Sequence, residues 1–173
     1  MKYTIDVMKS CDWEEVRDIY LQGIKTGMAT FQTEAPLWKD WDKSHLKVCR
    51  FVAHSKDKAL GWVALSPTSG RECYRGVVEI SLYIGEAYKN QGIGTALLME
   101  LVKKSEENGI WTLYASIIRK NNASIAVHKK CGFREIGIRE KIAKMSNGIW
   151  YDTVLVERRS KKMIRYNIFR KNK

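Results

Sequence analysis

The stretch Val77-Val78-Glu79-Ile80-Ser81-Leu82-Tyr83-Ile84, followed after three residues by Tyr88-Lys89-Asn90-Gln91-Gly92-Ile93-Gly94-Thr95-Ala96, decides the fold. Side chains alternate across a strand, so Val78, Ile80, Leu82 and Ile84 share one face. Val77, Glu79, Ser81 and Tyr83 share the other, which sets a carboxylate in the middle of an apolar strand. Beyond the turn, Ile93, Leu97, Leu98, Leu101 and Val102 recur at helical spacing as one apolar stripe. The reading is a buried strand, a glycine-bearing turn and an amphipathic helix from about Gly92 to Glu107.

Working outward, the same two periods assign the other elements. Tyr3–Met8 alternates as a strand. Asp12 with Glu15 resembles a capping box, and Val16, Ile19 and Tyr20 then mark an amphipathic helix to about Thr26. Pro36 opens a second helix carrying Leu37, Trp38, Trp41 and Leu46. Phe51–His54 and Ala59–Ser66 are strands joined by the polar turn Lys56–Lys58, and Pro67–Gly70 is a loop. Ile110–Ile118 is a strand. Asn122–Lys130 is a short helix ended by Gly132, a residue suited to the position after a helix C-cap. Phe133–Arg139 and Trp150–Glu157 are the last strands. The order β-α-α-β-β-β-α-β-α-β-β describes a mixed sheet covered by helices, an α/β (α+β) chain and not a regular βαβ array. Residues 1–160 read as one domain and 161–173 as a basic C-terminal tail.

Composition narrows the function. The chain has 173 residues, 45% of them hydrophobic and only 2 of them prolines, which gives one domain with a real core. No run approaches the ~18 apolar residues of a membrane span. The N-terminus lacks the apolar segment and small-residue cleavage site of a signal peptide, so a cytoplasmic chain is expected. Four cysteines form no CxxC pair, and three histidines share no metal-ligand spacing, so no metal is expected. The net charge is +12, but the eight Lys and Arg between Arg158 and Lys173 carry most of it. That tail is either a solvated end or an anion-binding one.

Two segments carry chemistry. In Lys89–Ala96 the glycines let the backbone turn sharply and approach a ligand closely. The free N–H groups of the helix start would suit a pyrophosphate. A P-loop would need GK[ST], and a dinucleotide fingerprint would need a third glycine where Leu97 stands. Alone, the turn reads equally well as a structural one. In Asn121–Phe133, Asn121 or Ser124 can be helix caps and His128 a half-buried helix residue. Taken together, K-x-x-G-x-G-x-x-LL and N-x-x-S-x-x-x-H-x-x-x-GF resemble the GCN5-related N-acetyltransferase (GNAT) superfamily. The similarity spans about residues 3–158. Within the superfamily the chain resembles the phosphinothricin, methionine sulfone and methionine sulfoximine acetyltransferase group. The matching stretches are Ala29–Thr33, Gly61–Pro67, Arg71 with Tyr74-Arg75, Val78–Ile84 and Trp150–Thr153. Lys89 stands where that family's turn usually has Arg or Gln, and Asn90 replaces a common glycine.

The resemblance implies a GNAT fold: a mostly antiparallel twisted sheet with about four helices, its strands splayed at the cofactor site. It implies acetyl-CoA as donor, held by Leu82, Tyr83, Ile84, by Lys89, Asn90, Gln91, Gly92, Ile93, Gly94 and Thr95, and by Asn121 and Ser124. It implies a small-molecule amine acceptor and a homodimer. An amine arrives mainly as ammonium and must lose a proton before attack. Glu79 is the candidate base, with a carboxylate paired to Arg71 or Arg75 as the alternative. His128 is the second candidate catalytic residue, as a cationic donor or by holding a water, or else it only packs. The acceptor's carboxylate would take the fork of Arg71, or failing that Arg75. The resemblance sets Phe31 and Tyr83 against its side chain. The leading expectation is direct acetyl transfer to a small amino acid or analogue. The alternatives are acetylation of protein N-termini or lysines, and a non-catalytic basic module. The lack of aromatic residues interleaved with basic ones in residues 1–157 disfavours a nucleic-acid partner.

Overall fold

A computed structural model describes residues 2–163, and the tail from 164 onward lies outside the described residues. The elements are β1 (Thr4–Val7), α1 (Trp13–Lys25), α2 (Trp38–Ser44), β2 (Phe51–Ser55), β3 (Lys58–Pro67), β4 (Val77–Ile84), α3 (Ile93–Glu107), β5 (Thr112–Ile118), α4 (Asn122–Lys130), β6 (Arg134–Lys144) and β7 (Trp150–Arg159). One seven-stranded sheet runs β1-β2-β3-β4-β5-β7-β6. Every neighbouring pair is antiparallel except β4 with β5. The expected mixed, mostly antiparallel sheet covered by helices is what forms among the described residues.

Each face of the sheet has its own core. On one side the stripe of α3 (Ile93, Leu97, Leu98, Leu101, Val102) packs on Val63, Leu65, Val78, Ile80, Leu113 and Val156. On the other, α1 and α2 bring Trp13, Val16, Ile19, Tyr20 and Trp41 onto Val52, Trp62 and Ala64. Trp41 meets Trp62 edge-on at 5.7 Å between ring centroids. This second layer covers β2 to β4. On the same side Tyr114 and Ser116 of β5 and Leu155 of β7 are only half-buried.

Two boundaries differ from the sequence expectation. α2 excludes Leu37, its extended N-cap, and stops before Leu46. Arg50 closes its C-terminus: the guanidinium, 5.1 Å from the Trp41 ring, donates to the carbonyls of Asp42 and His45 at 2.9 and 2.8 Å. Leu46 is turned instead to the sheet, its N–H donating to the Leu65 carbonyl at 2.8 Å. β6 runs past Arg139 to Lys144, through irregularities in its pairing with β7 at 135–137 and 139–143. A bulge hides a strand from a period-two reading, because it shifts the alternation by a residue.

Leu101 is fully buried beneath α3, while Met99 on the same helix is half exposed. Leu101→Ala is expected to cost about 2–5 kcal/mol in denaturant unfolding, and Met99→Ala under about 0.5 kcal/mol. Equal losses would show that α3 does not pack by this face.

Candidate functional site

β4 and β5 pair only at Val77, Val78 and Glu79, opposite Thr112, Leu113 and Tyr114. Past Glu79 they part, although β4 continues to Ile84 and β5 to Ile118. On its β5 side the backbone from Ser81 to Ile84 therefore has no strand partner. Two cavities open from the gap. One, of about 570 Å³, lies between Leu82–Ile84, the first turn of α3 and the first turn of α4. The other, of about 370 Å³, takes in Glu79, Phe31, Thr30, Ser66 and Ser116. Leu82, Tyr83, Asn121 and Ser124 line both, so the cavities meet at the parted strands.

The larger cavity ends on the turn before α3. Asn90 and Gly92 both have left-handed backbones, at φ 61 and φ 80. Such a pair around Gln91 folds the chain so that successive N–H groups point one way, a concavity suited to anions. The first bond into the helix is from the Ala96 N–H to the Gly92 carbonyl at 3.0 Å. The N–H groups of Ile93, Gly94 and Thr95 thus find no backbone acceptor among the described residues. At Gly94 an added Cβ would lie 3.6 Å from Ile84 Cγ1, in ordinary contact, so a glycine there leaves the helix start bare. Lys89, paired with Glu86, lines the cavity. The Gln91 side chain instead donates to the Ala87 carbonyl at 3.1 Å and does not line it. A bare anion cradle at one end of an apolar groove, with unpaired strand backbone along its side, fits a long ligand carrying phosphates.

Asn121 joins the two halves of the site. Its Oδ1 accepts from the Ser124 N–H at 3.1 Å and caps α4. Its Nδ2 donates to the Met28 carbonyl at 3.1 Å and ties that cap to the loop after α1. Tyr83, the wall common to both cavities, stacks on Trp62 at 4.8 Å and meets Tyr20 edge-on at 4.9 Å. Burial holds its hydroxyl protonated.

Glu79 lies in the smaller cavity. Burial raises its carboxyl above the ordinary value, and the positive charge of Arg139 opposes the rise. No pairing with Arg71 or Arg75 forms. Arg75 donates to Glu72 at 2.7 Å, Arg71 lies 5.3 Å from the Tyr74 ring, and neither lines the cavity. His128 does line it, almost wholly buried and edge-on to Phe133 at 5.1 Å. Its Nδ1 lies 2.8 Å from the Ser124 carbonyl, which accepts, so Nδ1 carries the proton. Burial lowers its pKa and favours the neutral ring, leaving on the buried Nε2 a lone pair without a partner among the described residues.

Sequence reasoning had placed Tyr20 only as a helix residue, and had not singled out Thr30, Ser66, Ser116 or Arg139. Thr30 was within reach, inside the Ala29–Thr33 stretch. Ser66 and Ser116 enter because their strands carry them to the same sheet face as Glu79, which only register reveals.

Comparison with known proteins accords with this geometry. Residues 13–133 match the model of the acetyltransferase (GNAT) family. The phosphinothricin N-acetyltransferase of Alcaligenes faecalis is 31% identical over 162 residues, covering 90% of this chain and 81% of that protein. The L-methionine sulfoximine/L-methionine sulfone acetyltransferase of Pseudomonas aeruginosa is 28% identical over 100 residues, 58% of each chain. The crystal structure of a phosphinothricin acetyltransferase from Sinorhizobium meliloti in complex with acetyl-CoA superposes with a TM-score of 0.83 at 27% identity, covering 92% of this chain and 89% of that one. This chain belongs to the acetyltransferase (GNAT) family and is an N-acetyltransferase.

Proposed function

We propose that this member of the family transfers acetyl from acetyl-CoA to the amine of a small amino acid or analogue, of the phosphinothricin, methionine sulfoximine or methionine sulfone type, with both substrates bound together. The observation that carries the reading is the meeting of an anion-cradling groove and a carboxylate-bearing cavity where β4 and β5 part. The names of the relatives supply the acceptor class.

The groove fits acetyl-CoA by its chemistry: N–H groups of Ile93, Gly94 and Thr95 with Lys89 for phosphates, and apolar walls with free β4 backbone for a flexible arm. Bound there, acetyl-CoA would supply a thioester carbonyl open to attack by a neutral amine; the C–N bond of the amide forms, the C–S bond breaks, and coenzyme A leaves as its thiol, taking up one proton. Glu79 takes the ammonium proton, directly or through a water, and its raised pKa brings it closer to the amine it must deprotonate. A backbone N–H of the unpaired β4 segment polarises the carbonyl. Neutral His128 offers no proton and its Nε2 is sealed from solvent, so its part is to pack against Phe133 and brace α4 through the Ser124 carbonyl.

Two further elements belong to the same proposal. A cytoplasmic site of action accords with four free cysteines. A homodimer is supported by Ile136, Ile138, Ile142, Ile149 and Trp150, all at least two-fifths exposed on the β6–β7 hairpin at the sheet edge. Sedimentation should give a dimer that Ile138→Glu combined with Trp150→Glu converts to monomer; a monomeric wild type at micromolar concentration would refute it.

Gly94→Glu should weaken acetyl-CoA binding at least tenfold, ~1.4 kcal/mol, by setting a carboxylate where phosphates need bare N–H groups. Unchanged affinity by calorimetry in the folded variant would remove the groove's assignment. Glu79→Gln should leave that affinity nearly intact and lower turnover roughly 10²-fold or more. A base works only when ionised, so wild-type kcat should rise with pH through the Glu79 pKa, which lies above the ordinary carboxylate value. The variant should lack that limb. Wild-type turnover across pH in Glu79→Gln would make Glu79 structural.

A further inference from the structure

One stretch of chain walls both cavities. Gln22, Gly23, Thr26 and Met28 line the larger, Thr30 and Phe31 line the smaller, and Ala29 between them lines both. The stretch is the end of α1 and the loop that follows it. Whatever fixes this loop therefore fixes the wall of the acceptor cavity.

The α1 end is held to β4 and the turn beyond it. Gln22 Oε1 accepts the Glu86 N–H at 2.8 Å, between β4 and α3. At Gly23 an added Cβ would lie 2.7 Å from Tyr83 Cδ1, so α1 rests directly on that ring and a glycine permits the approach. The loop's own bonds are local. Thr26 Oγ1 donates to the Gly23 carbonyl at 2.6 Å and accepts the Met28 N–H at 3.1 Å, and Thr30 Oγ1 accepts the Gln32 N–H at 3.1 Å. Bonds spanning two or three residues shape a turn without fixing where it lies. Thr30 also meets the hydroxyls of Tyr20 and Tyr83, again on the α1 and β4 side. None of these contacts crosses the gap to β5 and α4.

Among the described residues one hydrogen bond does cross it, from Asn121 Nδ2 to the Met28 carbonyl at 3.1 Å. Asn121 is a fixed post for that bond. Its N–H donates to the Ile118 carbonyl of β5 at 2.7 Å, and its Oδ1 accepts the Ser124 N–H of α4 at 3.1 Å. The residue is half-buried and lines both cavities. The loop thus hangs from the β4 side of the parted strands and is latched to the β5 side by one amide.

We infer that Asn121 is a positioning residue of the acceptor site: it latches the loop after α1 to the start of α4 and so holds Ala29, Thr30 and Phe31 in place across from Glu79. The family resemblance gives Asn121 to acetyl-CoA, whereas its hydrogen bonds give it to the acceptor wall. The inference rests on the reading of the smaller cavity as the acceptor's.

The test separates the latch from the helix cap. Asn121→Ser keeps a capping oxygen but is too short to reach Met28. Asn121→Asp keeps the shape and the cap but turns an acceptor toward the Met28 carbonyl. In steady-state kinetics both should raise the KM for methionine sulfone roughly three- to tenfold, the worth of one neutral hydrogen bond. In Asn121→Ser the KM for acetyl-CoA should stay within about twofold, a split that a general loss of structure would not give. Hydrogen exchange followed by mass spectrometry needs no acceptor. It should show residues 28–32 exchanging at least about threefold faster in both variants, with α4 unchanged. An acetyl-CoA KM that rises alone, or as much as the acceptor's, would make Asn121 a cofactor contact and overturn the latch. Unchanged exchange over residues 28–32 would overturn it too. A wild type that acetylates neither methionine sulfone nor phosphinothricin would instead refute the amino-acid reading, and the exchange measurement alone would then decide the latch.

Discussion

Everything in this site follows from a break in hydrogen bonding. β4 is paired along its whole length with β3, from Val78 to Ile84, yet with β5 only as far as Glu79. Buried backbone N–H and C=O groups without partners are costly, so a sheet does not part in its middle without something to take their place. Here the unpaired edge faces a cavity, where a ligand or water supplies the bonds. The parallel pairing of β4 with β5 makes this possible. Parallel neighbours need a crossover, and α3 is that crossover. It springs from the end of β4 and carries its bare N-terminal N–H groups to the mouth of the same gap. One topological feature thus yields both the slot and the anion cradle at its end.

The parting also sets the environment of the Glu79 carboxylate. Glu79 is the last residue of β4 that β5 still pairs, so its backbone is fixed on both sides. Its side chain points toward the α1 and α2 layer, but that layer ends where Tyr20, Tyr83 and Trp62 close it. Beyond these rings stands open cavity in place of core. A carboxylate at a core edge is partly desolvated without being sealed in, and that is the environment that raises its pKa while leaving it reachable. Tyr83 gains its rigidity from the same rings. Stacked on Trp62 and braced by Tyr20, it forms a hard wall shared by both cavities.

The legible parts of the fold were those governed by one local period. The alternation over Val77–Ile84 and the stripe over Ile93–Val102 could be read directly, because a face buried against one layer writes its period into the chain. α2 was overrun because Leu46 is apolar for another reason: it packs on the sheet after Arg50 has ended the helix. β6 was cut short because its bulge breaks the alternation and because almost all of it is exposed. In the site, Glu79 stood out as a charge in an apolar strand, and Gly92 with Gly94 stood out as a turn. Arg71 and Arg75 drew attention by nearness in sequence, whereas the cation acting on Glu79 comes from two strands beyond β5. No local pattern encodes that distance.

That contrast separates two kinds of residue. Glu79, Gly92 and Gly94, the proposed base and phosphate turn, are placed by the elements that bear them. The place of Arg139 relative to Glu79 depends instead on the register of three strand pairings. A register-dependent residue can be moved by a single insertion in the hairpin while the gap, the turn and Glu79 stay where they are. Acceptor choice is therefore the more easily altered property of this architecture, and acetyl transfer the more conservative one. The physical reason is that the donor groove is built from backbone geometry, which tolerates side-chain change. The acceptor cavity is built from side chains delivered by three different strands, two helices and the loop after α1, each of which can shift independently.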